Sequence, residues 1–152
     1  MHVNTAKAIT GGFVGTVLMT LMMYFGAPMM LGHPMDVAAM LGGVLGGSWA
    51  MGMLMHLING TVIFPLIYGF LLCRVLPGAP WLKGTSWGLI LWFLSQAVVT
   101  PMMGGGLFSA AAGGLMAVMA SLVGHVIYGA VLGVVAGSAA GAPAGTPTRA
   151  IA

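Results

Sequence analysis

The chain consists of long apolar stretches separated by short breaks rich in glycine and proline. A helix needs about 20 mostly apolar residues to cross a bilayer, so this pattern predicts four transmembrane helices in one domain, residues 1–137. The Pro- and Gly-rich remainder, residues 138–152, is expected to be a disordered tail. The predicted spans are residues 8–31, 48–73, 85–103 and 115–137.

The composition points to the same environment. Hydrophobic residues make up 60% of the 152 residues and charged residues only 3%, whereas a soluble domain carries about 25% charged residues. Too few charges are present to cover a surface that faces water, so the expected partner of this surface is the lipid bilayer. The composition excludes a soluble enzyme and a nucleic-acid-binding module, and the single cysteine excludes an internal disulfide framework.

The few charges also orient the predicted spans. With four spans, Lys7, Arg74, Lys83 and Arg149 all fall on one side of the membrane, and Asp36 falls on the other. Lysine and arginine are enriched in cytoplasmic loops. The charge pattern therefore predicts that both termini are cytoplasmic.

The sequence also contains an internal repeat. Pro28-Met29-Met30 recurs 73 residues later as Pro101-Met102-Met103, and the segment that starts at His56 resembles the one that starts at His125. Each half of the chain thus corresponds to a hairpin of two spans. We expect two tandem hairpins related by a pseudo-twofold axis along the membrane normal.

His56 and His125 are the strongest candidates for a cofactor site. Both are expected to face the bundle interior, because small residues lie one helical turn before and after each of them. Two neutral imidazoles that face each other would suit the axial ligation of a b-type haem, or would bind copper or zinc. The structural alternative is that each ring bonds a nearby carbonyl, a hydroxyl or the other ring and only fixes the packing.

A second candidate set involves sulfur ligands. Among the 15 methionines, Met51 and Met55 lie one helical turn apart, and thioethers select Cu(I). Together with His33 and Asp36 they form a candidate metal set. Methionine is equally a flexible apolar filler at helix interfaces.

Asp36 is the only acidic residue of the chain. It precedes a short apolar segment, which predicts that Asp36 is the N-cap of a short helix at the membrane surface. The alternative is an ion or proton site formed by His33 and Asp36.

Three segments carry a resemblance to a known group: residues 35–43, residues 54–60 with Tyr68 following, and residues 124–129. At these residues the chain is similar to the YagU-type group, small four-span proteins of unknown function in the bacterial inner membrane. The resemblance implies that location and the polar positions His56, His125 and Asp36. It implies no activity.

The sequence contains no Ser/His/Asp set, P-loop or H-E-x-x-H motif, so we expect no intrinsic catalytic activity. Three functional hypotheses stay open. The first is an accessory subunit that packs against a larger redox or metalloenzyme membrane complex, or against itself. The second is an electron-transfer protein that binds haem b or copper, and the third is a small-solute channel or carrier.

Overall fold

The computed structural model describes residues 4–137, so the predicted tail at residues 138–152 lies outside the described residues. Every regular element in this part of the chain is helical. A short 3-10 turn, Leu107–Ser109, precedes the last helix. The helices are α1 (Thr5–Leu31), α2 (Val37–Val44), α3 (Trp49–Val75), α4 (residues 80–102) and α5 (Gly114–Gly137).

Helices α1, α3 and α5 are long and apolar enough to cross a membrane. They cover the spans that the sequence predicts at residues 8–31, 48–73 and 115–137. Residues 85–103, the other predicted span, form most of α4, which begins earlier, at Pro80. Helix α4 is not among the three, and Lys83 and the Ser95-Gln96 pair lower the hydropathy of its sequence.

Three of the long helices contain a π-helical turn directly before a proline. The turns Met22–Gly26, Asn59–Ile63 and Ser95–Val99 each end two residues before Pro28, Pro65 or Pro101. Proline has no N–H group and its ring crowds the carbonyl four residues earlier, so the chain shifts to the wider hydrogen-bond pattern. Helix α5 contains no proline and stays α-helical throughout.

Each π-helical turn leaves one backbone carbonyl without a donor in its own helix, and a group from another part of the chain can donate a hydrogen bond to it. In α3, the Phe64 N–H bonds the carbonyl of Asn59 and Pro65 has no N–H, so the Gly60 carbonyl accepts from the Tyr128 hydroxyl of α5 at 2.8 Å. In α1, the Met23 carbonyl accepts from the Met35 N–H at 3.0 Å. The prolines therefore create polar connections from α3 to α5 and from α1 to the loop before α2.

Helices α4 and α5 approach each other until their backbones touch. A Cβ atom added to Gly84 or Gly88 would meet the backbone of α5, and one added to Gly129 or Gly133 would meet the backbone of α4. Residues four apart lie on one helix face, so each pair of glycines forms a smooth strip. This is the small-residue packing that brings helices together in lipid.

Helix α1 lies between α5 and α3. Its Gly11 and Gly15 face Leu132 and Tyr128 of α5, and its Gly12 faces Pro65 of α3. The short helix α2 packs on the first turns of α3 through small residues of both helices: Ala38, Gly42 and Gly52.

The ring of helices closes between α3 and α4 at one end only. Phe64 and Trp87 meet edge to face with their ring centroids 6.3 Å apart, and the Lys83 ammonium donates to the Cys73 carbonyl at 2.7 Å. We call this end of the bundle the Lys83 end, and the end that carries α2 the α2 end. Toward the α2 end, α3 and α4 diverge.

The two halves of the predicted repeat share one feature and differ in another. The π-helical turns of α1 and α4 lie 73 residues apart (22 to 95), the same spacing as Pro28 and Pro101. The second helices of the two hairpins differ, because α3 has π-helical turns and α5 has none among its residues. The pseudo-twofold relation of the hairpins stays a prediction.

The glycine contact predicts a large difference between two Gly→Ala substitutions. Gly129→Ala places a methyl group against the backbone of α4 and should destabilise the fold by about 1–3 kcal/mol, as overpacking does. Gly43→Ala is the matched control, since a Cβ atom there meets nothing within 4 Å. Thermal unfolding in detergent, followed by circular dichroism, measures both. Equal stability of the two variants would contradict the contact.

Candidate functional site

A cavity of about 670 Å³ lies between α1, α3, α4 and α5 toward the α2 end. We call it the central cavity. Most of its wall is apolar, and its polar side chains come from all four long helices and from the turn before α5. They include Thr16, His56, Asn59, Ser95, Gln96, Thr100, Ser109, Ser121, His125 and Tyr128.

His125 contacts the cavity with a ring that is fixed by its own helix. Its Nδ1 lies 2.8 Å from the Ser121 carbonyl oxygen one turn earlier. A carbonyl only accepts hydrogen bonds, so Nδ1 carries the hydrogen, and in the neutral ring Nε2 holds a lone pair. Nε2 has no hydrogen-bond partner among the described residues.

A chain of buried hydrogen bonds supports the same wall. Ser109 donates to the Gln96 side-chain oxygen at 2.7 Å, and the Gln96 amide donates to the Ser121 hydroxyl at 3.2 Å. Ser121 in turn lies 3.4 Å from Nδ1 of His125. This chain connects the turn before α5 with α4 and α5, so the polar side of the cavity is held in place.

His56 is fixed by a neighbouring helix instead. Its Nε2 lies 3.0 Å from the Thr20 hydroxyl of α1. Thr20 uses its only hydrogen to donate to the Thr16 carbonyl, so it accepts from His56. Nε2 of His56 therefore carries the hydrogen, and the lone pair of the neutral ring is on Nδ1.

The structure thus places both predicted histidines on the wall of one cavity. We call the two lone-pair nitrogens, Nδ1 of His56 and Nε2 of His125, the acceptor nitrogens. The two rings are held through opposite nitrogens, His56 through Nε2 and His125 through Nδ1. A haem or copper ion between them stays a prediction.

Asp36 lies at the rim of the cavity and connects three helices. Its carboxylate accepts from the Ala39 N–H at 2.9 Å, as the predicted N-cap of α2 requires. It also accepts from the Tyr24 hydroxyl of α1 at 2.6 Å and from the Trp49 indole of α3 at 3.0 Å. Burial raises the pKa of Asp36, but these bonds outweigh it and hold the pKa below its ordinary value.

The structure separates the members of the predicted metal set. His33 and Asp36 line the rim of the cavity, and Nδ1 of His33 lies 3.1 Å from the Pro34 carbonyl. Met51 and Met55 are exposed on α3 and do not line the cavity. Within residues 4–137, no group of three or more His, Cys, Asp or Glu side chains is placed to hold a metal ion.

The cavity is closed at one end and open at the side. Phe64, Leu91 and Tyr128 are its last lining residues toward the Lys83 end. Leu94 and Val98 of α4 line it as well, although they are 45% and 47% exposed. The cavity therefore reaches the apolar surface of the bundle beside α4, and we call this opening the side mouth. It also reaches the surface at the α2 end, where the lining residues His33 and Pro34 are exposed.

Two supporting residues are not singled out by the sequence alone. Thr20 lies one turn after Thr16, and this spacing places both hydroxyls on one face of α1. Tyr24 lies twelve residues from Asp36 along the chain, and only the fold brings the two groups together. Of these two residues, only Thr20 could have been found from the sequence, by its spacing of one helical turn from Thr16.

Three apolar helices long enough to cross a membrane indicate a small helical membrane protein. The chain belongs to a family of unknown function, DUF6789, whose model matches residues 2–146. No curated protein and no solved structure matches. The similarity to the YagU-type group stays a prediction.

The contacts of Asp36 predict a pH-dependent stability. Asp36 has a lowered pKa in the folded state, so its contribution is present above the unfolded pKa of about 4 and is lost as the pH falls through the folded value. Asp36→Asn removes hydrogen bonds to a charged acceptor and should cost about 1–3 kcal/mol near pH 6. Because Asp36 is the only acidic side chain, the difference should disappear in strong acid.

Thermal unfolding of both proteins in detergent between pH 2.5 and pH 6 tests this. Trp49→Phe is the comparison variant, because it removes the indole donor and keeps the bonds from Tyr24 and Ala39. It should cost less than Asp36→Asn. An Asp36→Asn penalty that is the same at every pH would show that the carboxylate charge contributes nothing.

Proposed function

We propose that this protein binds a small lipophilic molecule in the central cavity. The observation that carries the proposal is the cavity itself: about 670 Å³ of mostly apolar space with a few fixed polar groups. Pockets for small molecules typically measure about 300–1,000 Å³ and have this composition. The side mouth at Leu94 and Val98 supports entry from the hydrocarbon region of the membrane.

We place the protein in the bacterial inner membrane with four spans, α4 being the fourth. The packing of α4 along α5 through glycines supports this. A helix that packs closely along a membrane-spanning helix is aligned with it and therefore crosses the membrane as well. Lys7, Arg74 and Lys83 lie at the Lys83 end and Asp36 lies at the α2 end. By the positive-inside rule, the Lys83 end and both termini are cytoplasmic, and the cavity is in the outer half of the bilayer.

A binding protein or carrier fits this arrangement better than an open pore. A pore needs a continuous path through the bundle, whereas the cavity ends at Phe64, Leu91 and Tyr128. Tyr68 and Leu132, farther toward the Lys83 end, are buried. Release on the cytoplasmic side would therefore require these helices to separate.

The accessory-subunit hypothesis loses one of its supports. Strips of glycine on the outside of a bundle would offer contact surfaces to another membrane protein. In α1, α4 and α5 the faces of Gly12, Gly84 and Gly129 are filled by helices of the same chain. The short loops still fit an accessory subunit, which stays a prediction.

Haem b is a second candidate ligand, and the state of His125 favours it. Haem- and metal-binding histidines usually donate one ring N–H to a carbonyl and coordinate through the other nitrogen, and His125 has this arrangement. His56 does not, because its Nε2 bonds Thr20. Bis-histidine ligation through both Nε2 atoms would require the Thr20–His56 bond to break.

A substitution that fills the cavity tests the main proposal. Ala120 lines the cavity, and Ala120→Phe should reduce the affinity for an environment-sensitive lipophilic dye at least tenfold, since the ring occupies the binding space. Val134→Phe is the matched control on the same helix, because Val134 is exposed and does not line the cavity. Fluorescence titration of both variants in nanodiscs gives the affinities. Equal dye binding by Ala120→Phe and the unmodified protein would contradict the proposal.

The haem alternative has its own measurement. If His125 ligates haem, the protein purified from its host should show an α-band in the reduced-minus-oxidised spectrum, and His125→Asn should abolish it, because Asn supplies no ring nitrogen to the iron. A featureless spectrum with no iron by elemental analysis would remove haem from the candidates.

A further inference from the structure

We propose that the ligand is a quinol, a flat aromatic ring with two hydroxyl groups and a hydrocarbon tail. The inference rests on the proposed function and names the chemical class of the molecule. It follows from four properties of the central cavity: the two acceptor nitrogens, the absence of a nearby charge, the thioether groups in the wall and the position of the side mouth.

The two histidines select for hydrogen-bond donors. Their tautomers are set by Thr20 and by the Ser121 carbonyl, so each ring keeps one nitrogen with a lone pair, and both rings line the cavity. A ligand that satisfies both acceptor nitrogens must bring two donors. The two hydroxyls of a quinol meet this demand, whereas the two carbonyls of the oxidised quinone only accept.

The rest of the wall selects for an uncharged aromatic body. Among the described lining residues the only acidic side chain is Asp36 at the rim, and its carboxylate already accepts from Tyr24, Ala39 and Trp49. Thioether sulfurs contact aromatic rings favourably, by about 0.3–1.5 kcal/mol each. The wall holds five methionines: Met19, Met23, Met35, Met40 and Met103.

The side mouth offers a path for the hydrocarbon tail of the quinol. A ring between His56 and His125 would lie inside the bundle, and a tail attached to it would pass Leu94 and Val98 into the acyl chains. A quinol resident in the membrane has this shape, whereas a polar solute gains nothing from an opening toward lipid.

The test uses two substitutions that keep the structural hydrogen bonds and remove the acceptor nitrogens. In His56→Gln the amide nitrogen takes the position of Nε2 and donates to Thr20. In His125→Asn the amide nitrogen takes the position of Nδ1 and donates to the Ser121 carbonyl. Thr10→Val is the control, because Thr10 bonds only the Ala6 carbonyl of its own helix near the Lys83 end.

Isothermal titration calorimetry is done anaerobically on the full-length protein in nanodiscs, with a quinol that carries a short alkyl tail and with its quinone. We expect the quinol to bind at least tenfold more tightly than the quinone. His56→Gln and His125→Asn should each weaken quinol binding at least tenfold, while quinone binding changes less than twofold. Thr10→Val should bind both as the unmodified protein does, and melting temperatures verify that every variant is folded.

Equal affinities for quinol and quinone, or folded His56→Gln and His125→Asn variants that bind quinol normally, would overturn the inference. If neither molecule binds while the lipophilic dye still does, the quinol assignment is wrong and the proposed function stands. If neither these molecules nor the dye binds, both are wrong.

Discussion

The backbone contact between α4 and α5 is the constraint on which the rest of the structure depends. Gly84, Gly88, Gly129 and Gly133 let the two helices touch without side chains between them, and α1 is held against α5 in a similar way. These contacts fix the Lys83 end, where Phe64 and Trp87 also close the ring of helices. Because α3 and α4 are joined there and diverge beyond it, space opens toward the α2 end. The cavity is thus a consequence of packing that is tight at one end only.

The prolines contribute the polar connections in this apolar interior. Pro28 and Pro65 each force a π-helical turn and release a backbone carbonyl, and the carbonyls of Met23 and Gly60 then bond Met35 and Tyr128. In hydrocarbon such groups need a partner inside the protein, so one bond holds α3 beside α5 and the other holds the loop before α2 against α1. The histidine rings are oriented by the same kind of bond, to a hydroxyl or a carbonyl. The helix packing and the orientation of the two histidine rings therefore depend on hydrogen bonds of the same kind.

Much of this was accessible from the sequence because it depends on local spacing. Apolar run lengths located α1, α3 and α5, small residues one turn from His56 and His125 indicated which way the rings face, and Asp36 before an apolar segment predicted the cap of α2. The cavity was not predictable in this way. It depends on the divergence of α3 and α4 and on pairs such as Thr20 with His56, which are far apart in the chain. The predicted span begins at residue 85, after the start of α4 at Pro80, because Lys83 interrupts the apolar run.

We infer that the space lined by His56 and His125 holds a molecule. The most direct measurement is an experimental structure of the full-length protein, extracted from its native membrane into lipid nanodiscs without added ligand. We expect non-protein density in the cavity, in contact with Nδ1 of His56 and Nε2 of His125 and continuous with the lipid beside Leu94 and Val98. A collapsed bundle, in which the two rings bond each other and α3 packs along α4 over its whole length, would contradict it.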